Sequence, residues 1–189
     1  MKKIVLFASG SGTNAENIIL YFNQKPTAKV VSVFCNNPNA KVLDRAKKHH
    51  VPTFVFSKDE LNGGMVLNKL EEFNPDLIVL AGFLWQFPTS IIAKYKNSII
   101  NIHPALLPKY GGKGMYGMKV HAADLENNEP ETGINIHQVN EHYDEGNIIF
   151  QQSVIINDCK TPEAIALKIN ELEHKHFPVV IEKILNLKS

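Results

Sequence analysis

Lys3-Ile4-Val5-Leu6-Phe7-Ala8-Ser9-Gly10-Ser11-Gly12-Thr13-Asn14 is the passage that decides the fold. Residues 3 to 8 form a mostly apolar run of the kind expected for a parallel strand buried on both faces. Gly10 and Gly12 end it, and from Asn14 to Asn23 apolar residues return at helical spacing with Ile18, Ile19 and Phe22. The alternation recurs with a strand over Lys29 to Cys35, a helix over Ala40 to His49, a short strand at Thr53 to Phe56 and a helix over Val66 to Phe73. A buried strand at Asp76 to Ala81, a short helix at Ile91 to Tyr95 and a strand at Ser98 to Asn101 follow. Alternating β and α elements with short links predict an α/β, doubly wound, mostly parallel sheet.

After His103 the pattern changes. Pro104 to Gly117 holds two prolines and four glycines and reads as a long functional loop. A helix over Met118 to Leu125 precedes strands at Thr132 to Val139 and Asn147 to Ile156, whose polar link Asn140 to Gly146 suggests an antiparallel extension of the sheet. Thr161-Pro162-Glu163 carries an N-cap threonine, proline at the first helical position and an early acid, the signature of a terminal helix.

The 189 residues, 44% of them apolar, suit one core and one domain. A net charge of +1 from 20 basic and 19 acidic residues argues against a nucleic-acid binder and favours a small charged ligand. No cationic leader and no apolar stretch of about 20 residues is present, so a cytoplasmic protein without a membrane partner is expected. Cys35 and Cys159 are too few for a disulfide framework, and the eight histidines lack ligand spacing with carboxylates, so no metal is expected.

Three groups of residues carry chemistry. The glycine turn would present free N–H groups and the positive end of a helix dipole to an anion such as phosphate. It lacks the lysine of a P-loop and the third glycine of a dinucleotide site, and a plain tight turn would need glycine too. On the phosphate reading, a branched side chain at Gly12 should obstruct that ligand alone. Asn101 and His103 follow a buried strand at the carboxyl end of the sheet and point the same way, because side chains alternate along an extended chain. An amide donor beside an imidazole suits a carbonyl that becomes an oxyanion, whereas a lone histidine is as readily satisfied by a backbone carbonyl. Asp144 lies in the polar loop, where a carboxylate is ordinarily solvated. Near His103 it would favour the imidazolium and could relay a proton.

Gly10-Ser11-Gly12-Thr13-Asn14, Leu80-Ala81-Gly82-Phe83, Asn101-Ile102-His103-Pro104-Ala105-Leu106-Leu107-Pro108 and Asp144-Glu145-Gly146 together closely resemble the folate-dependent formyltransferases, and among them those acting on glycinamide ribonucleotide. The resemblance implies a small-molecule enzyme that moves a formyl group from 10-formyltetrahydrofolate, as co-substrate and without a metal, onto the amine of glycinamide ribonucleotide in purine synthesis. It assigns catalysis to Asn101, His103 and Asp144. Gly12, Thr13, Asn14, Asn170 and Glu173 would hold the ribonucleotide, and Leu84, Trp85, Gln86, Phe87, Asn101, Val139, Asn140, Glu141 and Asp144 the folate. Residues 1–100 then form a phosphate-binding half and 101–189 a catalytic and folate-binding half of one domain. Two departures stand out. Arg45 is the only arginine, so lysines would have to replace the cations usual at the folate site, and Gly111 to Gly117 looks like an inserted, glycine-rich flap. The alternatives are a transformylase of initiator methionyl-tRNA, for which a second domain and basic surface are missing, and a non-catalytic sugar-phosphate module, which would not need Asn101, His103 and Asp144 together.

Overall fold

β1 (Lys2–Ala8) takes an interior place in the sheet because it can bury both faces. Ile4, Leu6 and Ala8 pack into one apolar cluster, while Val5 and Phe7 pack into a second on the opposite side. The computed structural model describes residues 1–187. After β1 the chain continues through α1 (Thr13–Asn23), β2 (Ala28–Cys35), α2 (Lys41–Lys48), β3 (Thr53–Val55), α3 (Lys58–Asn62), α4 (Met65–Phe73), β4 (Leu77–Leu80) and α5 (Thr89–Lys94). It ends with β5 (Ile99–His103), α6 (Met118–Glu126), β6 (Glu131–Gln138), β7 (Ile148–Ile155) and α7 (Pro162–Leu187).

The seven strands lie in the order β3-β2-β1-β4-β5-β6-β7, with β1 to β5 parallel and β6 and β7 antiparallel. This is the expected doubly wound sheet with its antiparallel extension. Residues of α1, α2 and α7 build the core on one face, and residues of α3, α4 and α5 build the core on the other. Because β2 and β4 flank β1, the chain winds in opposite directions from it, and a crevice opens beyond the carboxyl ends of β1 and β4. Thr161 caps α7 as predicted, its hydroxyl accepting from the Ala164 N–H at 3.2 Å. Both cysteines are free and buried. No helix among the described residues is long and apolar enough to cross a membrane.

Two elements depart from expectation. α3 falls in a stretch with no helical assignment, yet Ser57 and Glu60 form a capping box at its start. β5 does not stop at Asn101 but runs through His103, because β6 supplies a partner for each residue from Ile100 to His103. Asn101 and His103 therefore stand on a paired strand, Asn101 between β4 and β6 and His103 against β6 alone, and not in the loop after it.

Candidate active site

A cleft of about 630 Å³ opens over the carboxyl ends of β1, β4 and β5. Its walls come from the turn after β1, the segment after β4, the end of β5, the flap before α6, the loop after β6 and one face of α7. Apart from α7 these segments follow β1, β4, β5 and β6, which are neighbours in the sheet, so the strand order brings distant parts of the sequence together.

The turn after β1 ends at Gly12, the N-cap of α1, whose φ of +74° lies in the left-handed region. No side chain caps α1, so its first N–H groups face the cleft without an internal acceptor. Arg45 buttresses the turn from behind, donating through Nε to the Ser11 carbonyl at 2.9 Å. It also pairs with Glu16, the acid of the first turn of α1. His49 hydrogen-bonds the same carboxylate, and together with Arg45 and Lys48 it holds Glu16 below the usual carboxylate range against the pull of burial. Glu16 is thereby neutralised rather than left to repel an anion. Across the cleft, Asn14 Nδ2 donates to Glu173 Oε2 at 2.8 Å. Burial pushes Glu173 up to about 7, an effect that the Asn14 hydrogen bond partly offsets. The buried Oδ1 atoms of Asn14 and Asn170 have no partner, and both residues line the cleft. Unpaired buried acceptors are costly, and a ligand with hydroxyl or N–H groups would satisfy them.

At the floor of the cleft Asn101 and His103 point the same way along β5, as alternation predicts. Asp144 reaches them from the loop after β6: its Oδ1 lies 3.4 Å from Asn101 Nδ2, and its Oδ2 lies 3.5 Å from His103 Nδ1 and 3.0 Å from the Gly112 N–H that donates to it. The carboxylate is buried, not solvated, its side chain 10% exposed. Burial alone would raise it. The hydrogen bond to His137, the positive charge that His103 carries whenever it is protonated and the Gly112 N–H act more strongly together and leave it below its ordinary value. Asp144 has a φ of 56°, a left-handed conformation that aspartate tolerates better than most residues. Gly146 completes the motif because a Cβ there would sit 1.6 Å from the Gln138 carbonyl oxygen.

His103 is satisfied by a backbone carbonyl, one of the readings its sequence left open, and also stands beside Asp144. Its Nε2 lies 2.8 Å from the Tyr110 carbonyl oxygen, which can only accept, so Nε2 carries a hydrogen and Nδ1 turns toward Asp144. Burial lowers the imidazole below its ordinary value, while Asp144 and the Tyr110 carbonyl pull it back up. Burial wins, which runs against the expectation that Asp144 keeps the ring charged: the net effect of the surroundings is to favour the neutral imidazole.

Two further histidines converge here. His137 pairs directly with Asn101 across β5 and β6, and its Nε2 is shared between Asn101 Nδ2 at 3.2 Å and Asp144 Oδ1 at 3.5 Å. His121 lines the cleft, 4% exposed, with a buried Nδ1 that has no partner. Sequence reasoning missed both. His137 becomes visible only once β5 and β6 are set in register, whereas His121 lies within an ordinary helical segment, α6. Among the described residues no group of His, Cys, Asp and Glu could hold a metal ion.

Leu84, Trp85, Gln86, Phe87, Val139 and Asn140 also line the cleft, but unequally. Leu84 is 44% exposed, whereas Phe87 is 4% exposed and meets Phe7 edge-on with ring centroids 4.9 Å apart. Phe87 is thus chiefly core. Glu141 does not line the cleft, and what it offers is its backbone carbonyl, which accepts from Gln86 Nε2 at 2.9 Å. The flap from Gly112 to Gly117 faces the cleft and brings Lys113, the single lysine or arginine among its lining residues. Arg45 is committed elsewhere.

Residues 2–181 match the sequence pattern of the family described as formyl transferase. The chain is 34% identical to the phosphoribosylglycinamide formyltransferase of Bacillus subtilis, an alignment covering 100% of this chain and 97% of that one. It is 35% identical to the chloroplastic phosphoribosylglycinamide formyltransferase of Arabidopsis thaliana, with 97% of this chain spanning 65% of that longer protein. Among solved structures, the phosphoribosylglycinamide formyltransferase of Bacillus halodurans superposes with a TM-score of 0.89 at 33% identity, covering 100% of this chain and 97% of that one. Matched in sequence over nearly its whole length and in fold across its whole sheet, the chain belongs to the formyl transferase family, among the phosphoribosylglycinamide formyltransferases.

Proposed function

We infer that the protein transfers the formyl group of 10-formyltetrahydrofolate to the amine of glycinamide ribonucleotide, yielding formylglycinamide ribonucleotide and tetrahydrofolate in purine synthesis. The observation that carries this reading is the convergence of Asn101, His103 and Asp144 at the floor of a cleft whose wall is the uncapped N-terminus of α1. One domain serves both substrates. The turn at Gly12, Thr13 and Asn14, with Asn170 and Glu173 opposite, receives the phosphate and ribose. The slot from Leu84 to Phe87, closed by Val139 and Asn140, receives the pterin.

Each step then falls to a group whose surroundings suit it. The substrate amine attacks the formyl carbon, a C–N bond forms, and the formyl oxygen takes up negative charge that the Asn101 amide stabilises. In the neutral form that burial favours, His103 has its Nε2–H engaged by Tyr110, so Nδ1 accepts the proton that the attacking nitrogen sheds. Asp144 beside it compensates the imidazolium while it lasts. The bond to folate N10 breaks, and that nitrogen leaves with the proton returned by His103.

Incubation of the purified protein with both substrates, monitoring formylated ribonucleotide and tetrahydrofolate in equal amounts, tests the reading. Formyl release to water without the ribonucleotide product would instead make it a hydrolase.

A further inference from the structure

We propose that Glu129, a residue outside the cleft, is a positioning residue that holds His103 and Asp144 in register through the backbone from Tyr110 to Gly112. The proposal rests on the catalytic roles given above and extends them to a group that touches neither substrate.

The tripeptide Tyr110-Gly111-Gly112 contacts both members of the pair. The Tyr110 carbonyl accepts from His103 Nε2 at 2.8 Å, and the Gly112 N–H donates to Asp144 Oδ2 at 3.0 Å. A displacement of this short segment would therefore disturb both groups at once. Tyr110 also has a φ of 54°, a left-handed conformation that a bulky residue seldom adopts unless its surroundings hold it there.

Glu129 is what holds it. The Tyr110 hydroxyl donates to Glu129 Oε1 at 2.9 Å, and Lys109 Nζ reaches both carboxylate oxygens at 2.9 and 3.1 Å. Glu129 belongs to the short connection from α6 to β6, where its own N–H donates to the Asp124 carbonyl at 3.0 Å. The anchor thus stands on the scaffold, while the segment it grips is the root of the flap. Burial and the neighbouring carboxylate push the Tyr110 hydroxyl up to about 12, so it remains a donor. Of the two contacts the tyrosine bond is the sheltered one, since the Lys109 side chain is 66% exposed and an exposed ion pair adds little.

The chemical consequence concerns the imidazole tautomer. With the Tyr110 carbonyl in place, the neutral ring keeps its hydrogen on Nε2 and leaves Nδ1 free to take a proton. If the carbonyl drifts, the hydrogen can move to Nδ1, drawn by Asp144, and the ring loses its acceptor.

The experiment compares Glu129→Ala, Tyr110→Phe, their combination and Glu129→Gln with the unaltered protein and with His103→Asn. Folding is checked by circular dichroism, kcat and both KM values are measured, and the His103 ring nitrogens are followed by 15N NMR without substrate. Losing the anchor is expected to lower kcat by roughly ten- to a hundredfold, the upper end being the scale of a misplacement of about 1 Å, with both KM values barely changed. The combination should be no slower than the worse single change, because both cut the same connection. Glu129→Gln keeps an acceptor for the tyrosine hydroxyl and should retain most of the activity. The NMR signature should shift from the Nε2–H form toward a mixture in Glu129→Ala, Tyr110→Phe and their combination, and not in Glu129→Gln. Folded variants with unchanged kcat and an unchanged His103 tautomer would overturn the proposal, as would a rise in KM alone. Absence of transfer by the unaltered protein, or full activity of His103→Asn, would instead overturn the catalytic reading, and the NMR comparison would still decide whether Glu129 sets the tautomer.

Discussion

A Cβ placed on Gly12 would lie 2.4 Å from Val42 Cγ2 and 2.7 Å from Val42 Cα, so the turn after β1 packs directly against the first turn of α2. The expectation that a branched side chain there would obstruct phosphate alone is therefore too narrow. Gly12→Val must displace a helix backbone as well as adopt a positive φ. We expect a loss of stability of about 2 to 4 kcal/mol from the strained dihedral and overpacking together. Both substrates should weaken in proportion to the unfolded fraction. Denaturant unfolding of Gly12→Ala and Gly12→Val checks this, and a fully stable variant defective only toward the ribonucleotide would contradict the packing argument.

The aromatic segment after β4 should divide into two roles. Phe87 is buried against Phe7, and Phe87→Ala should cost about 3 to 5 kcal/mol of stability, as cavities left by large core residues do. Trp85 meets Phe56 and Phe83 edge-on from the cleft side and is only partly buried. Trp85→Ala should leave a folded protein that binds folate more weakly, by on the order of 1 to 2 kcal/mol for the ring area a pterin would cover. Trp85 is the single tryptophan of the chain, so its own fluorescence reports the contact. A folate titration that leaves the emission unchanged would remove the pterin from this slot.

Legibility in the sequence followed the range over which each interaction acts. The β1 run, the glycine turn and the α1 spacing are local, and so is the alternation that puts Asn101 and His103 on one side of β5. The capping box at Ser57 and Glu60 was equally local and went unused, because α3 is five residues long and has too little periodicity to attract notice. His137 depends on a cross-strand register, and Glu129 depends on where Tyr110 lands after a left-handed turn. Neither position carries a local mark. The burial of Asp144 was hidden for a related reason: a polar loop in sequence becomes an interior one only when Gly112 and the histidines close over it.

Two carboxyls raised by burial, Asp124 in the interior and the half-buried Glu173 in the cleft wall, should make the ligand-free protein less stable as pH rises. Burial pushes Asp124 up to about 6, with the nearby Thr132 acting against it, and pushes Glu173 up to about 7. A raised carboxyl favours the folded state fully below its unfolded value near 4, and that contribution is lost as pH climbs through the folded value. At most about 3 kcal/mol per group is at stake for shifts of this size. Asp124→Asn and Glu173→Gln should therefore gain stability over the unaltered protein at pH 8 and little or none at pH 5. Melting curves at the two pH values are the measurement, and parallel pH dependences would mean that both groups titrate normally.

The sharpest test concerns Asn101, His103 and Asp144 as a unit. If the Asn101 amide stabilises the oxyanion, Asn101→Ala should lose about a hundred- to a thousandfold in kcat while both KM values barely change. His103 and Asp144 share one proton-handling task across 3.5 Å. Once His103 is removed the carboxylate has little left to assist, so His103→Asn combined with Asp144→Asn should be hardly slower than the worse single variant. The pH profile gives an independent reading. Burial already holds the His103 ring below its ordinary value, and Asp144 is among the groups pulling it back up. Taking away that negative charge disfavours the imidazolium, so in Asp144→Asn the inflection due to His103 should move to lower pH. Multiplicative rate losses together with an unmoved inflection would confine Asp144 to supporting the Gly112 N–H, and the proton transfer assigned to Nδ1 would have to be carried by another group, even in a protein that transfers the formyl group.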